Sequence, residues 1–355
     1  MRVAAYEQYG PPGVVAITDR PDPIPREGQV RVRVHAAVVG SSDSAARSGT
    51  PWFARLAFGL RAPKQHVLGS EFAGVVDAIG PGVTRFAVGD RAFGATGIGL
   101  GAHAEHVVVA ESGAVVRLPD EVSMADAAAI CDGALTALPF LRDGGHVRPG
   151  DRVLVNGASG SVGAAAVQLA KHLGAEVIAV CGPAHAELVR SLGADRVIDR
   201  TREDFTQARS EYEVIFDAVG KSTFRRCRRA LVAGGSYLTT VPSWSIVFQQ
   251  LTSKLGSRRA VIMFTGLRKD AEKRPDLEEL GALAAAGAFR PPIERMLPLE
   301  QIAAAHRIVD AGHKGGSAVI IPVPIETGPT DAASVTDTVR ATRDAASDAT
   351  PEAAS

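Results

Sequence analysis

Val153-Leu154-Val155-Asn156-Gly157-Ala158-Ser159-Gly160-Ser161-Val162-Gly163 is the stretch that decides the fold. An apolar strand runs into a turn of small residues, and an alanine-rich helical segment, 163–173, leaves it. Strand, Gly-rich turn and helix in that order are the context a dinucleotide fingerprint requires. The spacing fits with Ala158, Gly160 and Gly163 in the three glycine positions. Gly160 lets backbone approach a pyrophosphate, and Gly163 lets the helix pack close to the strand. The free N–H groups and dipole of the helix N-terminus then hold the phosphates. Taken alone, the stretch is equally a plain Gly-rich turn, so its surroundings decide.

Downstream, strands and helices alternate. Glu176–Cys181, Arg196–Asp199, Val214–Asp217 and Ser236–Val241 read as strands. Ala186–Leu192, Phe224–Leu231, Asp276–Ala286 and Ile302–Ala311 read as helices, and Ala318–Val323 as a last strand returning to the first part of the chain. Such alternation builds βαβ units on a parallel sheet, so the chain is α/β. Upstream the character differs. Gln29–His35 alternates with period two, and Glu71–Gly80, Val88–Gly94 and Ala104–Ala110 are further short strands bounded by Gly and Pro. That pattern predicts a barrel-like β domain. Between the two, Met124–Leu141 reads as a helix with Ser123 as N-cap and Asp126 in its first turn. After Pro324 large apolar residues almost vanish, which predicts a disordered tail over 324–355.

Acidic and basic residues balance at 39 each in 355 residues, which gives no reason to expect nucleic acid as a partner. Three separated cysteines, Cys131, Cys181 and Cys227, make a disulfide framework or a structural zinc site unexpected. No basic-then-apolar leader opens the chain, and no apolar run long enough to span a bilayer stands out. The expectation is a cytoplasmic protein without a membrane partner.

The choice between NAD and NADP falls at the end of the second strand, where an acid would bind the ribose 2′-OH and repel a 2′-phosphate. Glu176 is acidic but opens its strand, at the wrong edge of the sheet. The strand ends on Cys181-Gly182, without an acid, while His185, Arg190 and Arg200 lie nearby. This favours NADP, with NAD as the alternative; all three basic residues are also compatible with a solvated surface.

These features resemble the medium-chain dehydrogenase/reductase superfamily in its zinc-independent quinone oxidoreductase branch. The matching stretches include Gly28-Gln29-Val30-Arg31-Val32, Val67-Leu68-Gly69-Ser70-Glu71-Phe72-Ala73-Gly74-Val75-Val76, Val88-Gly89-Asp90-Arg91, Leu135-Thr136-Ala137, Pro149-Gly150-Asp151 leading into the fingerprint, and Leu192-Gly193-Ala194-Asp195. The resemblance implies a GroES-like β-barrel domain over residues 1–122, completed by 293–323, and a Rossmann domain over 123–292 inserted within it. It places the active site in the cleft between them. It implies Thr136 near the nicotinamide and Ser159, Ser161 and Val162 around the pyrophosphate. It also implies a homodimer paired through an edge strand over Arg259–Phe264. Two departures concern the 2′-phosphate. Relatives often carry Ser and Arg where this chain has Gly182 and Ala184, and Tyr where it has Arg200.

Zinc-binding members carry Cys, His and Cys at positions where this chain has Gly40, Ser70 and Asp132. Asp132 and Glu71 without His or Cys make a poor zinc site, so no catalytic metal is expected. His35, His66, His103 and His106 read as ordinary loop and strand residues. For the proton donor, Ser42 holds the position of the relay hydroxyl of zinc relatives and is the first candidate; it reads equally as a turn residue in a loop oriented by Asp43. Trp52, Phe53, Phe93 and Trp244 are candidates to wall an apolar pocket. The leading expectation is an NADPH-dependent reductase of a quinone or α,β-unsaturated carbonyl (enone). An alcohol dehydrogenase and a non-enzymatic, dinucleotide-binding redox sensor are the alternatives.

Overall fold

The computed structural model describes residues 1–52 and 54–324. Phe53 and all of the expected tail except Pro324 lie outside the described residues. β1 (Arg2–Ala5) and β2 (Ala16–Asp19) form an antiparallel ribbon. β3 (Gln29–Val39) is the long strand of the first domain; α1 (Ser41–Ser48), α2 (Ala54–Phe58), β4 (Glu71–Ile79), β5 (Arg91–Ala95), β6 (His106–Ala110) and β7 (Val115–Arg117) follow. β3 pairs along one edge with β4. Its first half is bonded by β6 on the other edge, its last residues by a strand from the end of the chain. One strand serves three neighbours, with register shifts between Arg31 and Val32 and between Val34 and Ala36. The period-two burial of Val30, Val32 and Val34 gives way to continuous burial over Ala36–Val39 as β3 passes beneath the second domain.

α3 (Met124–Pro139) joins the two halves. The Ser123 hydroxyl caps it by accepting from the amide of Asp126 at 3.0 Å. Together with the turn that follows, Met124–Gly144 is long and apolar enough by composition to cross a membrane, a run not expected from the sequence, and 83% of its most apolar window is buried inside the protein. It is a core helix. Gly133 lets it approach the next helix closely: a Cβ there would stand 2.4 Å from the carbonyl oxygen of Ser161.

The second domain runs through β8 (Arg152–Asn156), α4 (Ser161–His172), β9 (Glu176–Cys181), α5 (Ala186–Ser191), β10 (Arg196–Asp199), β11 (Tyr212–Asp217), α6 (Phe224–Cys227), β12 (Leu231–Thr239), α7 (Trp244–Thr252), β13 (Arg259–Ile262) and α8 (Asp270–Ala285). Its six strands are all parallel, in the order β10-β9-β8-β11-β12-β13. Counted from β8 this is 3-2-1-4-5-6, the Rossmann order. β8 is buried on both faces, as a central parallel strand must be. Val153 and Val155 face the core shared with α3, Leu154 the opposite core with Ile178, Ile215 and Tyr237. The chain returns through β14 (Ile293–Pro298), α9 (Ile302–Ala311) and β15 (Ser317–Ile321), which complete the first sheet as β14-β15-β3.

Phe224–Leu231, expected as one helix, is helical for a single turn only, because Leu231 already pairs with Tyr212 as the start of β12. α1, α7 and β14 are elements without a clear periodic signal in the sequence. α1 is fixed from outside: buried Arg47 donates to Asp310 of α9 at 2.6 Å and to the Gly10 carbonyl at 2.6 Å.

Candidate active site

At the carboxyl ends of the parallel strands the order reverses between β8 and β11, opening the crevice where open α/β sheets bind ligands. The two strands are tied across it. Asp217, fully buried at the end of β11, accepts from Asn156 Nδ2 (3.0 Å), Tyr237 Oη (2.9 Å) and the Ser222 amide (2.8 Å). Tyr237 is held neutral, its ionisation pushed far up by burial and the Asp217 charge. This network fixes the turn after β8 and the turn after β11 relative to each other. Neither Asp217 nor Tyr237 stands out in the sequence; the signal available was an acid closing an apolar strand.

Ser159, Gly160, Ser161 and Val162 sit partly exposed on the rim of the crevice, and Gly163 is buried beneath them. Gly160 is the N-cap of α4 and supplies no capping side chain, so the first amides of the helix point outward. A Cβ on Gly163 would stand 2.1 Å from the Gly157 carbonyl oxygen, so the helix can start this close to the strand only on glycine. Val219 and Val241, each more than 40% exposed, lie in the turns after β11 and β12 and give the crevice apolar walls. Open amides, a small-residue turn and apolar flanks fit the pyrophosphate and rings of a dinucleotide.

The expected 2′-phosphate residues separate. Arg200 is exposed, with its Nε 3.6 Å from where a Cβ of Gly182 would stand, so the two share one corner at the end of β9. Neighbouring Asp199 accepts instead from the hydroxyl and amide of Thr201. His185 is turned elsewhere: its Nε2 lies 3.0 Å from the His313 carbonyl, and its ring packs against Gly315. Arg190 is engaged by Glu187. Of the three basic residues, Arg200 stands against Gly182, and Arg190, though paired with Glu187, is also near enough to act on Cys181.

The other wall of the cleft comes from the first domain. Asp43, fully buried in α1, accepts from the Gly40 amide at 2.8 Å and the Gly69 amide at 2.9 Å, pinning together the loops that carry Ser42 and Ser70. Ser42 is exposed at the start of α1. A Cβ on Gly40 would lie 3.6 Å from Ser42 Oγ and 3.0 Å from Asp132 Oδ1, so Ser42 and Asp132 converge on one point. Asp132 and Thr136 are one turn apart on the same face of α3. Among the described residues no group of three or more His, Cys, Asp or Glu is placed to hold a metal ion. His103 is buried, its Nε2 at 2.8 Å from the Val38 carbonyl, and His106 Nε2 pairs with Asp77 at 3.0 Å. Phe93 is wholly buried in the core, and Trp52 and Trp244 are largely exposed.

Two unlike domains that clasp a Rossmann crevice define a two-domain nucleotide-dependent dehydrogenase or reductase. The description "alcohol dehydrogenase GroES-like domain" matches residues 26–120, and "zinc-binding dehydrogenase" matches residues 192–320. The chain is 33% identical over 331 residues to a quinone oxidoreductase of Pseudomonas aeruginosa, an alignment covering 89% of this chain and 98% of that protein. The quinone oxidoreductase of Coxiella burnetii superposes with a TM-score of 0.82 at 28% identity, over 91% of this chain and 99% of that one. That of Escherichia coli, solved in complex with NADPH, gives 0.77 at 25% identity, over 91% and 100%. The chain belongs to the medium-chain dehydrogenase/reductase superfamily, in its quinone oxidoreductase-like branch. It is, at that level, an NAD(P)H-dependent oxidoreductase.

Gly163→Val tests the close start of α4. The added side chain must push helix and turn apart, at a cost of about 1–3 kcal/mol. Thermal unfolding should shift down, and fluorescence titration should show NADPH binding weakened well beyond the loss for Val162→Ala.

Proposed function

We propose that this protein uses NADPH to reduce a quinone or an α,β-unsaturated carbonyl compound, without catalytic zinc. One observation carries the reading: Gly40, Ser70 and Asp132 stand where zinc relatives hold thiolates and imidazole, while the nucleotide turn is intact. Oxidising an unactivated alcohol requires stabilising an alkoxide, which zinc supplies as a Lewis acid at several kcal/mol. A serine hydroxyl does not replace that charge. A quinone or enone spreads the incoming electrons over its own conjugated system and asks less of the protein. Bound NADPH supplies the hydride. In this reading Ser159, Gly160, Ser161, Val162 and Gly163 hold the pyrophosphate, Thr136 flanks the nicotinamide, and Ser42 hydrogen-bonds the substrate. Gly182 and Arg200 receive the 2′-phosphate, while His185 is held away from it by the His313 carbonyl.

β13 ends the parallel sheet, and an unpaired strand edge is an association site. We propose a homodimer across it; light scattering should give twice the chain mass at micromolar protein, and a monomer mass would contradict this.

Two further outcomes follow. NADPH oxidation by a simple quinone or enone should survive exhaustive chelation, with secondary-alcohol oxidation slower by orders of magnitude; a chelator-sensitive alcohol dehydrogenase restored by zinc would overturn the reading. Arg200→Ala should weaken NADPH about tenfold, the worth of roughly one charge-assisted hydrogen bond, and leave NADH nearly unchanged. Equal affinities of the parent for both cofactors would overturn the NADPH preference.

A further inference from the structure

Glu71 opens β4 directly after Ser70, which is buried, and Ser70 Oγ lies 2.6 Å from Glu71 Oε1, a hydrogen bond in which a protonated Glu71 is the donor and the hydroxyl the acceptor. The second oxygen, Oε2, is buried and has no hydrogen-bond partner among the described residues. The carboxyl groups of Asp43 and Asp132 lie close enough to act on it electrostatically. The three acids are not equivalent. Asp43 is also pushed up by burial, but His103 and the two backbone amides it accepts, from Gly40 and Gly69, act against that. Asp132 accepts from Ser317 Oγ at 3.3 Å and faces the Lys314 ammonium at 4.0 Å. That ammonium is itself buried and makes no hydrogen bond among the described residues, so its charge is directed at Asp132. Glu71 has the Ser70 hydroxyl and its own backbone amide, and among the described residues no ion pair.

Two other titratable groups pack here, and one of them, His103, acts on Asp43 and keeps a buried Nδ1 without a partner among the described residues. The Cys131 thiol is pushed well up by burial and stays neutral, and His103 is committed through Nε2 to the Val38 carbonyl. A charged carboxylate with one buried, unpartnered oxygen beside two other acids is strongly disfavoured. Burial and the neighbouring carboxylates hold Glu71 well above the usual carboxylate range.

We infer that Glu71 is a neutral carboxylic acid in the resting protein and delivers its proton, through the Ser70 hydroxyl, to the oxygen of the substrate being reduced. This rests on the reductive reading above. As hydride forms a C–H bond on the conjugated carbon of the acceptor, an electron pair moves onto the acceptor oxygen. The Ser70 O–H proton transfers to that oxygen, and the Glu71 proton moves to Ser70 Oγ. Glu71 is left as carboxylate and is reprotonated from water after product leaves. The acceptor gains two electrons and the nicotinamide loses them. Ser70 is then the catalytic residue, with Glu71 positioned behind it as proton source.

The sign of the pH dependence follows. The donor is present below the Glu71 pKa and lost as pH rises through it, so kcat falls on the alkaline side. The test uses the full-length protein. The infrared spectrum of the nucleotide-free parent at neutral pH, minus that of Glu71→Gln, should show a protonated-carboxyl C=O band. Glu71→Gln and Ser70→Ala should each lower kcat about a hundredfold, the lower range for general acid catalysis. Both should lose the alkaline limb of the profile and keep NADPH affinity, and Ser70→Thr should retain most of the rate. Should Glu71→Gln fail to fold, Ser70→Ala carries the kinetic arm and a pH series on the parent carries the infrared arm. Absence of the band, or an unchanged rate and pH profile in the variants of an active parent, overturns the inference and leaves the reductive reading standing. A parent that reduces neither quinone nor enone overturns the reductive reading, and the delivery step with it.

Discussion

Helix α3 is the constraint on which the rest of the molecule depends. It packs on β3 and β4 of the first sheet and on α4 and α8 of the second domain. Its side chains are part of one apolar cluster that runs from Ala36, Val38 and Phe93 through Ile130, Ala134 and Leu138 to Val153 and Val167. Two domains so joined share a core, and their relative position is set by close packing. The small residues of α3 are the means: Ala127, Ala128, Ala134 and Ala137 keep both neighbours near, and Gly133 brings α4 into backbone contact.

The same helix places the chemistry. Its packed face leaves Asp132 and Thr136 partly open toward the cleft, one turn apart, beside the first turn of α4. Ser317 and Lys314, from the returning end of the chain, meet Asp132 from the other side. The nucleotide crevice and the acid cluster are therefore held by one element, and a shift of α3 disturbs both. Where zinc relatives place a cation, this chain has a cluster of carboxyl groups, one fully and two partly buried, with one lysine, an arrangement suited to storing a proton.

Much of this was legible in the sequence because its signals are local. The strand, turn and helix of 152–172 are read from a buried run, three small residues and an alanine-rich stretch, and the parallel sheet from their repetition. The three positions that lack zinc ligands are likewise read residue by residue. What was not legible depends on distance along the chain. α1 has the sequence Ser-Ser-Asp-Ser-Ala-Ala-Arg-Ser, without apolar period, and is fixed by Arg47 reaching Asp310. β14 exists because β15 pairs with it in parallel. His185 sits near the fingerprint in sequence, and a loop more than a hundred residues later claims its ring. Glu71, read as an inadequate ligand, gains its distinct state only when Asp43 and Asp132 are folded against it.

The central claim is that hydride passes directly, within this cleft, from a nicotinamide on the β8 turn to a conjugated acceptor. Isotope tracing tests it most directly. The protein is given NADPH deuterated at C4, separately on each face, with an enone in ordinary water, and the product is read by NMR. The account predicts deuterium on the β-carbon of the product from one face only, undiluted by solvent. Label found in water, or transferred equally from both faces, would contradict it.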